Sequence, residues 1–377
     1  MSAIGKFSAG DGCHHKQSLD MKSQRTYCPL NAAPPTAPPG GCLDEEDFAL
    51  LTTRFTNAFG IEHPLVLAPM DVVSGARLAT AVTTAGGLGM IGGGYGDEEW
   101  LKREFAAAAG TRVGCGFITW SLARRPELLD VALEHQPAAV MLSFGDPVPF
   151  ADRIRAAAVP LLCQVHTLDQ ARQALDAGAD VIVAQGGEAG GHGVGTRSTF
   201  TLVPDVADLI AARSPRALLL GAGGVADGRG LAAALVLGAD GVLVGTRFWA
   251  TEEAVVSARA HARAVAAGGD DTVRTSVYDI VRKYDWPAEY NGRLLRNRFT
   301  DRWHGRESEL AAQLAEATAE FKAAVSQQDF DVANMIVGEG VGLIQEILPA
   351  GEVVRRMAQD AAAHLGRRVP QTAAFSG

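Results

Sequence analysis

The chain is poor in cysteine, poor in aromatic residues, and has no long apolar or basic run. Five of its 377 residues are cysteine (Cys13, Cys28, Cys42, Cys115 and Cys163). An odd, scattered set in a chain of this size argues against a disulfide scaffold. Cys13 is followed by His14 and His15, but no second pair stands at metal-finger spacing, so no metal centre is expected. No apolar stretch reaches the ~18 residues of a membrane-spanning helix. The N-terminus lacks the apolar core of a secretory signal, which makes a cytoplasmic location the expectation. The net charge is −9, from 34 basic and 43 acidic residues, and no basic cluster stands out. Nucleic acid and anionic membrane are therefore not expected partners.

What the chain does have is apolar content, 47%, enough for a large core, and a strong rhythm. Residues 1–47 include "NAAPPTAPPGG" (Asn31–Gly41), which sustains neither helix nor central strand, and are expected to form a disordered tail. From Phe48 onward, short β-like runs recur: "PLVLAP", "LGMIGG", "RVGCGFI", "AAVMLSFG", "PLLCQV", "VIVAQG", "ALLLGAG" and "GVLVGT". They are nearly continuous in apolar residues, the pattern of parallel strands buried on both faces. Ala-rich amphipathic segments separate them at about 25 residues per step, the length of a βα unit. "LDAGADVIVAQG" (Leu175–Gly186) is echoed by "LVLGADGVLVGT" (Leu235–Thr246). Eight such units predict a (β/α)₈ barrel over 48–266. A doubly wound open sheet is the alternative; it would want a GxGxxG turn after the first strand, where this chain reads "APMDVVSG".

After Ala266 the rhythm stops. Residues 267–348 are expected to form a mostly helical cap. One amphipathic helix would carry Leu310, Leu314, Phe321 and Val325 on a single stripe, and the aromatics between Tyr278 and Trp303 would pack cap to barrel. The segment 349–377 should hold a last helix, near Glu352–Leu365, returning to the barrel wall.

Active sites of such barrels lie at the C-terminal ends of the strands, and glycines cluster there. Gly223, Gly224 and Gly245 follow the seventh and eighth strands, the usual phosphate position of this fold, with Thr246 adding a hydroxyl. The sixth strand leads into "AQGGEAGGHGVGT" (Ala184–Thr196), in which six of thirteen residues are glycine. His192 in that loop is the candidate catalytic residue, because an imidazole titrates near neutrality. Glu188 is read as orienting a neighbour or capping the loop. His166, after the fifth strand, is the only other histidine candidate.

These segments, with "LAPM" (Leu67–Met70), "AGGLGMIGGG" (Ala85–Gly94), "GAGGVADG" and "YDIVRKYDWPAEYNGRLLRNRF" (Tyr278–Phe299), resemble the nitronate monooxygenase family, formerly 2-nitropropane dioxygenase, and its relatives the FMN-dependent enoyl-acyl carrier protein reductases. The resemblance implies an FMN-binding barrel that oxidises alkyl nitronates with O₂ to carbonyl compounds and nitrite. The alternative it leaves open is an NAD(P)H-dependent flavin reductase acting on quinones or enoyl thioesters. It also implies site roles. Ala68, Pro69 and Met70 would line the flavin ring, and Thr119 would touch the cofactor. Gln164 and Gln185 would reach its polar groups, and Gly190 and Gly191 would pack on the ring. Gly223, Gly224, Gly245 and Thr246 would hold the phosphate, and His192 would stand over the reactive ring. A homodimer is a candidate assembly. Many relatives carry a histidine in the loop after the fourth strand; this chain has Gly145 and Asp146 there.

Overall fold

The computed structural model describes residues 51–366. The expected tail at 1–47, with Cys13, Cys28 and Cys42, and the residues after Gly366 lie outside them. The strands among the described residues are β1 (Leu65–Leu67), β2 (Met90–Gly94), β3 (Gly114–Ile118), β4 (Val140–Ser143), β5 (Leu161–Val165), β6 (Val181–Gln185), β7 (Gly191–Gly193), β8 (Leu218–Ala222), β9 (Gly241–Val244), β10 (Thr272–Thr275) and β11 (Asn291–Leu295). Eight of them pair in the order β1-β9-β8-β6-β5-β4-β3-β2, every pair parallel. The ring closes between β1 and β2, where Leu67 N donates to Leu88 O and Leu88 N to Leu65 O, both at 2.9 Å. This is the (β/α)₈ barrel; β1 is bonded both to β9 and to the residues leading into β2, which rules out the open sheet.

The apolar runs are continuous because each strand feeds two cores. Val66, Met90, Met141, Leu162, Val181, Val183, Leu220 and Leu243 fill the barrel interior. Their neighbours Leu65, Leu67, Ile91, Leu142, Cys163, Ile182 and Val242 face outward under the helices. Burial pushes the thiol of Cys115 far up and that of Cys163 up to about 12, so both are inert core residues. The helix Arg54–Phe59 closes one end of the interior: Phe55 and Phe59 join the inner core, and Thr53 Oγ1 donates to Asp240 O at 2.7 Å, ahead of β9.

The repeated Gly-Ala-Asp turn has a physical reason. Gly178 (φ 85°) and Gly238 (φ 98°) end their helices in the left-handed region. The aspartate two residues later accepts from the start of the neighbouring strand, Leu161 N to Asp180 Oδ2 at 2.8 Å and Leu219 N to Asp240 Oδ2 at 2.9 Å. Each echo therefore ties a helix end to the next parallel pair.

The cap holds helices Val277–Arg282, Arg298–Trp303, Glu307–Ala312 and Leu314–Gln327, with a core of Tyr278, Phe299, Trp303, Leu310 and Phe321. It departs from the expectation in two ways. The predicted apolar stripe is split between two helices by a break at Gln313, and Val325 is half-exposed. The cap also contains an antiparallel ribbon, β10–β11, whose second strand pairs with β7. These strands mix arginine and other polar residues with apolar ones and make no continuous apolar run.

The last helix, Ala350–Gly366, lies along helix Gly228–Val236. A side chain at Gly228 would collide with the backbone of Asp360 and Ala361. Gly228→Val should therefore force this helix pair apart and lower the unfolding free energy by about 1–3 kcal/mol, the usual penalty of overpacking. Chemical denaturation with an unchanged m-value checks this.

Candidate active site

A cavity of about 660 Å³ opens at the C-terminal ends of the barrel strands, within the size range of a small-molecule site. Ala68, Pro69, Met70, Gln164, Gln185, Gly190, Gly191, His192, Gly223, Gly224, Gly245 and Thr246 all line it. Thr119 does not. Its side chain is buried with the hydroxyl unpartnered, and Gly145 packs directly on it. The "SFGDP" loop causes this. Phe144 sits at φ 64°, which folds the loop over the end of β3. Ile118 lines the cavity instead. Asp146 is exposed and accepts from Val148 N and Gln173 Nε2, so this loop brings no acid–base group to the cavity.

The wall beyond β8 and β9 fits a phosphate. Gly223 and Gly224 have φ of 103° and 74°, conformations that suit glycine. The backbone N–H groups of Gly224, Val225 and Thr246 donate to no acceptor among the described residues. A side chain on Gly245 would point at Ala68 Cβ and Met70 Sδ, each 3.7 Å away. This is a concave cradle of bare backbone and free donors, suited to an anion.

His192 sits opposite, in β7. Its Nε2 lies 3.0 Å from both Oδ1 and Oδ2 of Asp279, and both side chains are 10% exposed. A carboxylate only accepts, so Nε2 carries a hydrogen, which in the neutral ring leaves the lone pair on Nδ1. Nδ1 has no protein partner among the described residues. Trp286 stacks on the imidazole at 3.5 Å with a 5° interplanar angle. Trp286 Nε1 donates to Tyr95 Oη at 3.1 Å. The ring is thus fixed both in plane and face-on.

The glycine-rich loop has a second explanation besides a ligand. Side chains at Gly186, Gly187 and Gly190 would meet Thr199, the carbonyl of Gly195, and the Val337–Gly338 backbone. Gly193 and Gly195 pack against Arg274. Only Gly191 (φ 76°) has room on its open side. Arg274, partly buried, donates to Gly193 O at 2.7 Å, Asn291 O at 2.6 Å and Gly187 O at 3.3 Å. Arg293 reaches Gly187 O at 2.9 Å and pairs with Glu339 at 3.0 Å. Gln185 Nε2 donates to His192 O at 2.8 Å, so this amide positions the loop and leaves its oxygen for a ligand. Asp279, Arg274, Arg282 and Arg293 are the residues that sequence reasoning missed. Asp279 is 87 residues from His192, and no local pattern links them.

Glu188 caps the loop: its carboxylate accepts from Thr199 N and Thr199 Oγ1, each at 3.0 Å. His166 is buried behind the cavity wall. Its backbone N–H donates to Gln170 Oε1 at 2.7 Å, and its ring Nε2 lies 3.3 Å from the Gln185 amide nitrogen. Burial lowers its pKa to about 4. Between that value and the ordinary 6.5, the unfolded chain takes up a proton that the folded chain refuses. Stability should therefore fall as pH drops from 6.5 toward 4, by about 3 kcal/mol from this residue, and level off below. Unfolding free energy followed across this range should lose part of its slope in His166→Asn.

The chain matches the family model "Nitronate monooxygenase" over residues 52–112 and 118–360. A nitronate monooxygenase of Neurospora crassa is 32% identical over 363 residues, covering 84% of this chain and 94% of the relative. FabK from Thermotoga maritima superposes with a TM-score of 0.73 at 31% identity, covering 84% of this chain and 97% of that one. The nitroalkane oxidase of Streptomyces ansochromogenes does so with a TM-score of 0.69 at 27% identity, covering 82% and 98%. A barrel carrying a carboxylate-anchored histidine opposite a glycine cradle, with this extent of matching sequence, belongs to the nitronate monooxygenase family of oxidoreductases.

Proposed function

We propose that the chain oxidises alkyl nitronates, and neutral nitroalkanes after deprotonation, with O₂ and FMN. The observation that carries this reading is the pairing of His192 with Asp279 at a cavity whose far wall is a glycine cradle of free backbone donors. Gly223, Gly224, Gly245 and Thr246 would hold the FMN phosphate. Ala68, Pro69, Met70, Gln164, Gln185 and Gly191 would surround the ring. When bound, FMN supplies the electron-transfer chemistry that no side chain here has. Each nitronate carbon gains one oxygen atom, and its C–N bond breaks with the electron pair leaving on nitrite. Two nitronates and one O₂ balance to two carbonyls and two nitrites.

For a neutral nitroalkane, the α-proton passes to Nδ1 of His192, the nitrogen that Asp279 leaves free. Asp279 then faces the imidazolium across a hydrogen bond already formed, so little reorganisation accompanies the transfer. Trp286 and Phe144 keep water from the imidazole face.

A second reading, an NAD(P)H-dependent reductase of quinones or enoyl thioesters, draws support from one feature. Val72, Val255, Val325 and Ile336 are exposed yet line the same cavity, and an apolar rim suits a longer tail than a short nitronate has. Anaerobic mixing separates the two. Rapid flavin bleaching by nitronate and none by NADH is expected, and the reverse would install the reductase.

Two further outcomes are expected. The purified protein should be yellow, and its released cofactor should be FMN and not FAD. His192→Asn should keep its FMN and lose about 10²- to 10⁴-fold in turnover of neutral nitroalkane, the usual worth of a general base. It should lose far less with pre-formed nitronate. Equal losses on both substrates would make His192 a binding residue and not a base.

A further inference from the structure

Helix Val277–Arg282 brings a second charge to the cavity three residues after Asp279. Arg282 lines the same cavity as His192 and is half-buried. Among the described residues its guanidinium makes no ion pair and no hydrogen bond. It is held by aromatic faces, with Cζ 4.4 Å from the Tyr284 ring centre and 5.7 Å from that of Tyr95. Those rings stack on each other at 3.9 Å. Stacking orients a guanidinium and leaves its N–H fork open.

The acidic group of the barrel that shares this cavity and feels its charge is Asp71, on the turn after β1. Burial pushes the Asp71 carboxyl up, and Arg282 is the largest influence acting against that. Asp97 lies near Asp71 and acts in the opposite sense to Arg282, and Asp279 is felt at Tyr95. Asp71 is built in at some expense. It adopts φ 43°, and side chains on Gly92 or Gly94 would collide with it. Asp71 and Arg282 nevertheless make no ion pair within hydrogen-bonding reach. The fold thus keeps an unpaired guanidinium at the cavity and a carboxylate near enough to weaken its pull.

We propose that Arg282 is the anion receptor of this site and binds the two coplanar oxygens of the nitronate, leaving His192 Nδ1 to the α-carbon. This rests on the nitronate reading above. The two oxygens of a nitronate match a guanidinium fork as a carboxylate does. A neutral nitroalkane, with little charge on those oxygens, gains much less.

The test uses the flavin-loaded full chain, with ethyl nitronate and nitroethane as substrates. Nitrate serves as an unreactive planar oxyanion whose binding is read from the flavin absorbance. Arg282→Met should raise the KM for ethyl nitronate and the Kd for nitrate roughly 10- to 100-fold, the worth of charge-assisted hydrogen bonds. It should change the KM for nitroethane far less. Arg282→Lys should recover part of the nitrate affinity. Asp71→Asn should tighten nitrate, because it removes the opposing charge. Unchanged nitrate binding in Arg282→Met, or weaker binding in Asp71→Asn, would overturn the proposal. If Arg282→Met fails to load flavin, the Lys and Asp71 variants decide it by the same readout. Nitrate binding that depends on Arg282 in an enzyme inert toward nitronate would sink the nitronate reading and leave the anion site standing.

Discussion

Three residues of backbone join the barrel to its cap at the point where chemistry is placed. Gly191–Gly193 pair antiparallel with Asn291–Arg293, so His192 lies opposite Gly292. A side chain on Gly292 would come within 3.7 Å of the imidazole, so the imidazole lies over bare backbone. The ribbon that supplies this strand leads directly from β10 into helix Val277–Arg282, which delivers Asp279 to Nε2 and Arg282 to the cavity. Without this pairing the histidine would sit on a glycine-rich loop with its ring free to turn. With it, the ring's position, tautomer and face are all determined.

Such a loop needs anchoring from outside itself, because glycine loses more conformational freedom on ordering than any other residue. The anchors are polar side chains, chiefly two cations alongside Gln185 and Glu188, and not an apolar core. Arg274 and Arg293 satisfy carbonyls of Gly187 and Gly193 that a loop without side chains cannot satisfy locally. Burial lowers the Arg274 pKa to about 10, which still leaves it charged at neutral pH. The arrangement explains the composition of the loop better than a ligand alone does. Half of its glycines, Gly190, Gly193 and Gly195, make room for cap backbone and for Arg274, Gly186 and Gly187 make room for Thr199 and for the loop's own backbone, and Gly191 is the one whose open side meets nothing closer than Ile336 Cγ2 at 3.6 Å.

The barrel was legible in the sequence because both of its signals are local. The runs at β4, β6 and β8 are apolar up to the strand ends, where Ser143 and Gln185 stand, and the Gly-Ala-Asp turn recurs at a fixed place before β6 and β9. Part of the floor of the site was legible for the same reason: glycine turns after the last two barrel strands locate Gly223 and Gly245, while Gln164 and Gln185 came from the family resemblance. Thr119 is the expected site residue that does not line the cavity, because the strand end is right but the neighbouring loop is not simple. Phe144 takes a left-handed conformation and Gly145 lies against Cβ and the methyl group of Thr119, and nothing in "SFGDP" announces that. The β10–β11 ribbon was missed because its strands, no shorter than those of the barrel, mix arginine and other polar residues with apolar ones and so make no continuous apolar run. Asp279 and Arg282 lie inside a segment that resemblance marked as typical, but resemblance assigns a segment without saying which side chain turns inward.

The aromatic residues show how one segment serves two purposes. Tyr278, Phe299 and Trp303 build the cap's own core. Tyr284, Trp286 and Tyr290, from the same stretch, instead meet Tyr95, Phe144, His166 and His192 across the cavity. The first group stabilises the body that carries Asp279. The second forms a wall of rings around the imidazole and the Arg282 guanidinium, where polar edges are few. Hydrogen bonds and charges in such surroundings act through a lower dielectric than in water. The same wall that holds His192 in place therefore strengthens what His192, Asp279 and Arg282 can do to an anion between them.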